Sequence, residues 1–255
     1  MEFATLGTTH AERFMAGLGH GAPEWVRQMG LEPASPMRLL REATDAIRQL
    51  LGGAEVTQAG DYFEFDRVRL HHPPPTPIPL YLGVHGPASL RLSGELGNGT
   101  LLGWFSSPGY VTWARERIEE GRARGERTDP HSLVVLCVLS ISEDNPDGAR
   151  ERLGIWGARM LLAMAKSTQL KSTEEGQQLS AFIESDPERA RNTGPPPSLL
   201  ERFAAVGDRT SCAATIDRLL EAGADRVVLV PNPAGYRSTP EMVRQMQAGA
   251  ALIRT

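Results

Sequence analysis

Five prolines along this chain each follow a residue able to cap a helix: Ser35-Pro36, Gly86-Pro87, Ser107-Pro108, Asn145-Pro146 and Thr239-Pro240. A proline lacks the N–H that the first helical turn would leave unpartnered, so these pairs read as helix starts. Between them lie five apolar runs, at residues 13–18, 78–84, 100–103, 133–141 and 226–230. Most are continuously apolar, the pattern of strands covered on both faces in a parallel sheet. Strand and helix therefore alternate, which defines an α/β chain. The residues leave two architectures open, a doubly wound sheet or part of a (βα) barrel, since five strands do not close a barrel that needs eight.

The helix after Ser35 carries Leu39, Leu40, Ala43, Ile47, Leu50 and Leu51 on one face and stops at Gly52-Gly53. The alternation breaks over "VTQAGDYFEFDRVRL", which reads as two short strands about Ala59-Gly60-Asp61, so residues 55–72 form an inserted hairpin. The proline-rich "HHPPPTPIP" then delivers the chain stiffly into the next strand. Residues 166–197 turn polar and read as a partly helical excursion or lid, followed by a helix at residues 199–206. With no second regime of composition, residues 1–255 read as one domain.

Composition narrows the partners. Lys and Arg number 27 against 31 Asp and Glu, a net charge of −4, with no block of like charge to suggest nucleic acid or an anionic membrane. The apolar runs fall far short of the roughly 18 to 20 residues of a membrane span. The first residues lack a signal-peptide pattern, so cytoplasm is the expected location. Cys137 and Cys212 have no ligand spacing and read as free thiols. No HExxH or GxSxG motif occurs, so neither a metal centre nor a nucleophile elbow is expected.

In parallel α/β folds ligands gather where strands end and helices begin. Two such turns are rich in glycine: "GLGHG", containing Gly19, His20 and Gly21, and "GVHGPA", made of Gly83, Val84, His85, Gly86, Pro87 and Ala88. Glycines let the backbone approach a phosphate, and a helix starting at Pro87 offers free N–H groups to an anion. His20 and His85 can add a hydrogen bond or a charge. Phosphate holders without a nucleophile are what a cofactor-dependent enzyme shows. Trp104 and Phe105, where the third strand's loop opens, are candidates to face a ring or substrate. Tyr236 and Arg237, after the last strand, share that rim, and His71 and His72 read as solvated. A phosphosugar enzyme would need a lysine or acid at a strand end, yet the only lysines, Lys166 and Lys171, fall in the polar excursion.

"RFMAGLGHG", "PEWVRQMG", "RLHHPPP" and "PIPLYLGVHGPASLRLSGELGNGTLLGW" appear in that order, preceded by "ATL" at Ala4. Together they resemble the bacterial luciferase-like monooxygenase family, in the branch that uses the deazaflavin coenzyme F420. The likeness runs with gaps over residues 2–125 and returns near residues 209–231. It implies a partial TIM-type (β/α)8 barrel, about five of its eight strands, binding F420 or FMN through the phosphate loops at Gly19–Gly21 and at residues 83–88. It also implies hydride transfer with F420, or oxygen insertion with FMN, on a small organic substrate. The likeness starts near the end of the family's third βα unit, so the first third of the barrel is expected to be missing. Exposed sheet edges then favour a homo-oligomer, and the alternative is a cofactor-binding remnant or gene fragment without catalysis.

Overall fold

The structure is a computed structural model and describes residues 1–164, 167–232 and 239–252. Contacts divide the chain into two compact units, Met1–Leu101 with Arg117–Ser132, and Leu102–Glu116 with Leu133–Thr255. No described helix is long and apolar enough to cross a membrane.

In the first unit, α1 (Glu2–Thr9) precedes β1 (Ala16–Gly19), α2 (Pro23–Gln28) and α3 (Pro36–Leu51). The hairpin β2 (Val56–Ala59) and β3 (Glu64–Val68), then β4 (Leu80–Gly83), α4 (Pro87–Leu96) and β5 (Gly99–Leu102) complete it. Strand β4 lies between β1 and β5, parallel to both. The expected strand at residues 13–18 begins only at Ala16, because Arg13 turns back to bond the carbonyls of His10 and Ala11 as the chain leaves α1. Ser35 caps α3 by accepting the N–H of Arg38, and α3 buries Leu40, Thr44, Ala46 and Leu51. The hairpin is fixed from α3: the Glu42 carboxylate accepts the N–H groups of Asp61, Tyr62 and Phe63. A single acidic side chain thereby satisfies three donors that a free turn would leave to water.

Helix α5 (Pro108–Arg124) contributes residues to both units. After it come β6 (Ser132–Ile141), α6 (Pro146–Met164), α7 (Thr168–Lys171), α8 (Glu174–Ser185), α9 (Pro187–Asn192) and α10 (Pro197–Leu200). The chain continues through β7 (Ala205–Gly207), α11 (Arg209–Glu221), β8 (Arg226–Pro231) and α12 (Thr239–Ala250). Strand β6 carries β8 along Val134–Leu139 and β7 at its end, and Leu139 pairs with both Ala205 and Pro231, so the two flank opposite edges. All of these pairings are parallel.

The helix expected over residues 199–206 is therefore corrected: α10 ends at Leu200, and Ala205–Gly207 is a sixth parallel strand. Ala205 and Val206 are fully buried against β6, and the hydrogen-bonding edge of that strand outweighs local helix preference. The five strands read from the apolar runs are all present. Residues 55–72 do hold the hairpin, and the polar stretch is largely helical, in α7, α8 and α9. Its Lys166 lies outside the described residues, as do Pro233, Tyr236 and Arg237.

Candidate functional site

The β1–β4 register pairs Leu18 with Leu82 and Gly19 with Gly83. The two glycine turns thus leave adjacent parallel strands at the same level and on the same end. At Gly19 the approach leaves no room for a side chain: a Cβ there would sit 2.9 Å from the Gly83 carbonyl oxygen. Gly21 has φ +71°, a left-handed turn that glycine adopts without strain. Gly19, Gly21, Gly83 and Ala88 are exposed, whereas Val84 is buried and pins its loop to the core.

Gly86 is the N-cap of α4, with Pro87 in the first turn. Ser89 Oγ accepts the Gly86 N–H at 3.2 Å and donates to the Gly86 carbonyl at 3.1 Å, locking the cap. The N–H groups of Ala88 and Ser89 belong to the first turn, which the helix itself leaves without intrahelical acceptors. They emerge with the positive end of the helix dipole, beside the glycine turn of β1.

His20 is half-buried over a cavity of about 250 Å³ walled by Leu18, Val26, Leu39 and Phe63. Burial pushes its pKa below the ordinary 6.5, the nearby His85 lowers it further, and a hydrogen bond to the Pro36 backbone opposes both. His85 keeps one edge open to solvent, and burial of the rest lowers its pKa too. Both imidazoles are thus held toward their neutral forms, His20 by burial and by His85, and His85 by burial, and a nearby anion would favour the charged forms. The Pro36 carbonyl, which orients His20, had no signal in the sequence beyond its place at a helix start.

Trp104 and Phe105 belong to the second unit. Phe105 is fully buried, in a core with Val138, Leu153 and Leu200, and its ring centroid lies 5.6 Å from that of Trp156. Its φ of +61° is one a bulky residue holds only when packing fixes it. Packing occupies the whole side chain, so Phe105 is corrected from substrate contact to core residue. Trp104 is partly buried, its ring also 5.6 Å from Trp156. Gln169 of α7, a buried amide in the stretch that read as polar, donates to the Trp104 carbonyl at 2.8 Å and to Ser106 Oγ at 3.1 Å. That anchor escaped notice because an isolated Gln among polar residues looks solvated.

His71 and His72 are exposed. Cys137 and Cys212 are buried free thiols, pushed up to about 12 by burial. Among the described residues no group of three His, Cys, Asp or Glu is placed to hold a metal ion.

Parallel strands alternating with helices, two of them ending side by side in glycine turns, define an α/β protein. The sequence profile of the luciferase-like monooxygenase family matches residues 1–226, and the chain belongs to that family. It is 33% identical over 147 residues to the 5,10-methylenetetrahydromethanopterin reductase of Archaeoglobus fulgidus, covering 57% of this chain and 43% of the relative. It is 33% identical over 172 residues to the F420-dependent glucose-6-phosphate dehydrogenase of Beutenbergia cavernae, covering 64% and 50%. The chain thus spans about half the length of these relatives.

Among solved structures, the coenzyme F420-dependent tetrahydromethanopterin reductase of Methanopyrus kandleri superposes with a TM-score of 0.72 at 25% identity, covering 91% of this chain and 72% of that one. An F420-dependent secondary alcohol dehydrogenase bound to an F420–acetone adduct gives 0.74 at 21%, covering 98% and 72%. The fold is accordingly part of the TIM-type barrel of luciferase-like enzymes.

Proposed function

We propose that this chain binds coenzyme F420 through its phosphate-bearing tail and serves hydride transfer between that coenzyme and a small organic substrate. The carrying observation is the Gly19–Gly83 register, which sets two glycine turns side by side beside the start of α4. The relatives whose names carry F420 support the choice of coenzyme.

The residues fit such a tail. At Gly19 and Gly83 no side chain intervenes, so backbone N–H groups of the turn around His20 and Gly21, with those of Ala88 and Ser89, would donate to the phosphate. His20 and His85 would take up protons as its charge approaches. The bound deazaflavin supplies the carbon that accepts or returns a hydride. Trp104 is the proposed contact to ring or substrate. The net charge of −4 suits a small-molecule partner, and a cytoplasmic, self-associating protein completes the reading.

Titration of the chain with F420 and with FMN, followed by absorbance, tests this. Saturable F420 binding, weakened in a Gly19→Ala variant, is expected. Binding of FMN alone would move the reaction to oxygen insertion. Binding without reduction or oxidation of the coenzyme would leave a non-catalytic cofactor binder, and no binding of either would overturn the reading.

A further inference from the structure

The turns proposed to hold the phosphate carry no fixed positive charge. Neither residues 17–24 nor residues 83–90 include a lysine or arginine, and the first unit has no lysine at all. What positive character the site has comes from backbone N–H groups and the start of α4, equivalent to roughly half a unit charge. The fixed charge closest along the chain is negative: Glu24, exposed in the first turn of α2, lies three residues past Gly21 and so within about 11 Å of it.

The arginines of the surrounding helices do not supply the deficit. Arg27 of α2 faces Glu32, Arg38 and Arg41 of α3 face Asp61 and Glu95, and Arg91 of α4 faces Glu120, each within 3.5 Å. Arg48 has an Nη2 with no hydrogen-bond partner, unlike Arg127, which grips the Asp129 carboxylate with two guanidinium nitrogens. Both of these arginines, however, line a cavity with Leu80 at the amino end of β4, and three residues of strand, about 10 Å, separate Leu80 from Gly83. His20 and His85 are held toward neutrality, and a charge on His85 would oppose one on His20, so protonating one ring to meet an anion is easier than protonating both.

We propose that the phosphate site is built for a singly charged phosphodiester and selects against a doubly charged phosphomonoester. One negative charge is matched by the helix dipole, the amides and at most one imidazolium. A second must be desolvated with no fixed cation to meet it, and within reach of Glu24. The inference rests on the coenzyme reading and deepens it. F420 carries its phosphate as a diester and FMN as a monoester, so charge at this one subsite separates the two coenzymes before their rings are compared.

The test holds the ring constant and varies the charge. F420, the 5′-phosphate monoester of its deazaflavin core, and the methyl diester of that same phosphate are each titrated into the full chain at low ionic strength, followed by absorbance. At about pH 8 the methyl diester should bind about tenfold more tightly than the monoester, the worth of one further unit charge about 10 Å from a carboxylate at an effective dielectric of about 20. At about pH 5.5, below the second ionisation of the monoester near about 6, that gap should close to about threefold or less. Glu24→Lys, on an exposed side chain, should tighten the monoester at about pH 8 by a larger factor than the diester, because the dianion feels the reversed charge twice. Equal affinity of monoester and methyl diester at the higher pH, a gap that persists at the lower one, or a gap unmoved by Glu24→Lys would each overturn the inference while leaving the coenzyme reading standing. Binding of none of the three compounds would defeat the coenzyme reading, and the inference with it.

Discussion

Gly17 and Gly19 stand two residues apart in β1, so a methyl group added at either projects from the same face of the strand. At Gly17 it meets nothing within 4 Å; at Gly19 it lies 2.9 Å from the Gly83 carbonyl oxygen, where ordinary contact begins at 3.4 Å. Relief needs a retreat of 0.5 Å, 3.4 less 2.9, by backbone already tied into the β1–β4 ladder. Overpacking of this kind costs about 1–3 kcal/mol. Gly17→Ala meets no such cost and should stabilise by about 0.4–1 kcal/mol, through a less flexible unfolded chain. At roughly 2–4 °C per kcal/mol for a chain of this size, Gly19→Ala should melt several degrees below the parent and Gly17→Ala slightly above it. The displacement falls on the turn proposed to hold phosphate. Gly19→Ala should therefore also lose about tenfold in affinity for the coenzyme the parent binds, the worth of one charge-assisted hydrogen bond. Thermal unfolding by circular dichroism and coenzyme titration read the two effects. Matching midpoints and matching affinities in the two variants would refute the reasoning about close approach and, with it, the reading of the turns.

Because His20 and His85 are held below the ordinary value of 6.5, the unfolded chain binds more protons than the folded one just below that pH. Stability should be fully present above pH 6.5 and fall as pH drops through it; a double His20→Gln, His85→Gln variant should flatten that slope in denaturant titrations across pH 5–8. Phe105→Ala, which empties a fully buried site, should cost about 3–5 kcal/mol in chemical unfolding, and a near-neutral result would show that its packing was misjudged. Gln245 of α12 accepts the Ile141 N–H and donates to the Ile141 carbonyl, both at 2.9 Å, standing in for a neighbouring strand. Gln245→Leu leaves both groups unpaired and should destabilise by about 2 kcal/mol or more, with faster amide exchange at Ile141.

The glycine turns and the strands feeding them were legible because a parallel strand buried on both faces must be continuously apolar, and a helix beginning at a capped proline announces itself locally. Phe105 was misread because an aromatic after a strand looks the same whether it faces a ligand or a core. Only the helices α6 to α10, packed around it, decide which. The short strand Ala205–Gly207 was missed because three small apolar residues have no period of their own, and it is a strand through its hydrogen bonds to β6.

By itself, the sequence determined the alternation of strand and helix, the hairpin, the two glycine turns and the family likeness, since each rests on local backbone chemistry or residue order. Tertiary structure decided that Gly19 and Gly83 stand in register, that His85 disfavours the charged form of His20, and that Arg48 lacks the partner Arg127 has. Those facts depend on distances between segments far apart in the chain, which strand pairing and packing set and no local pattern encodes.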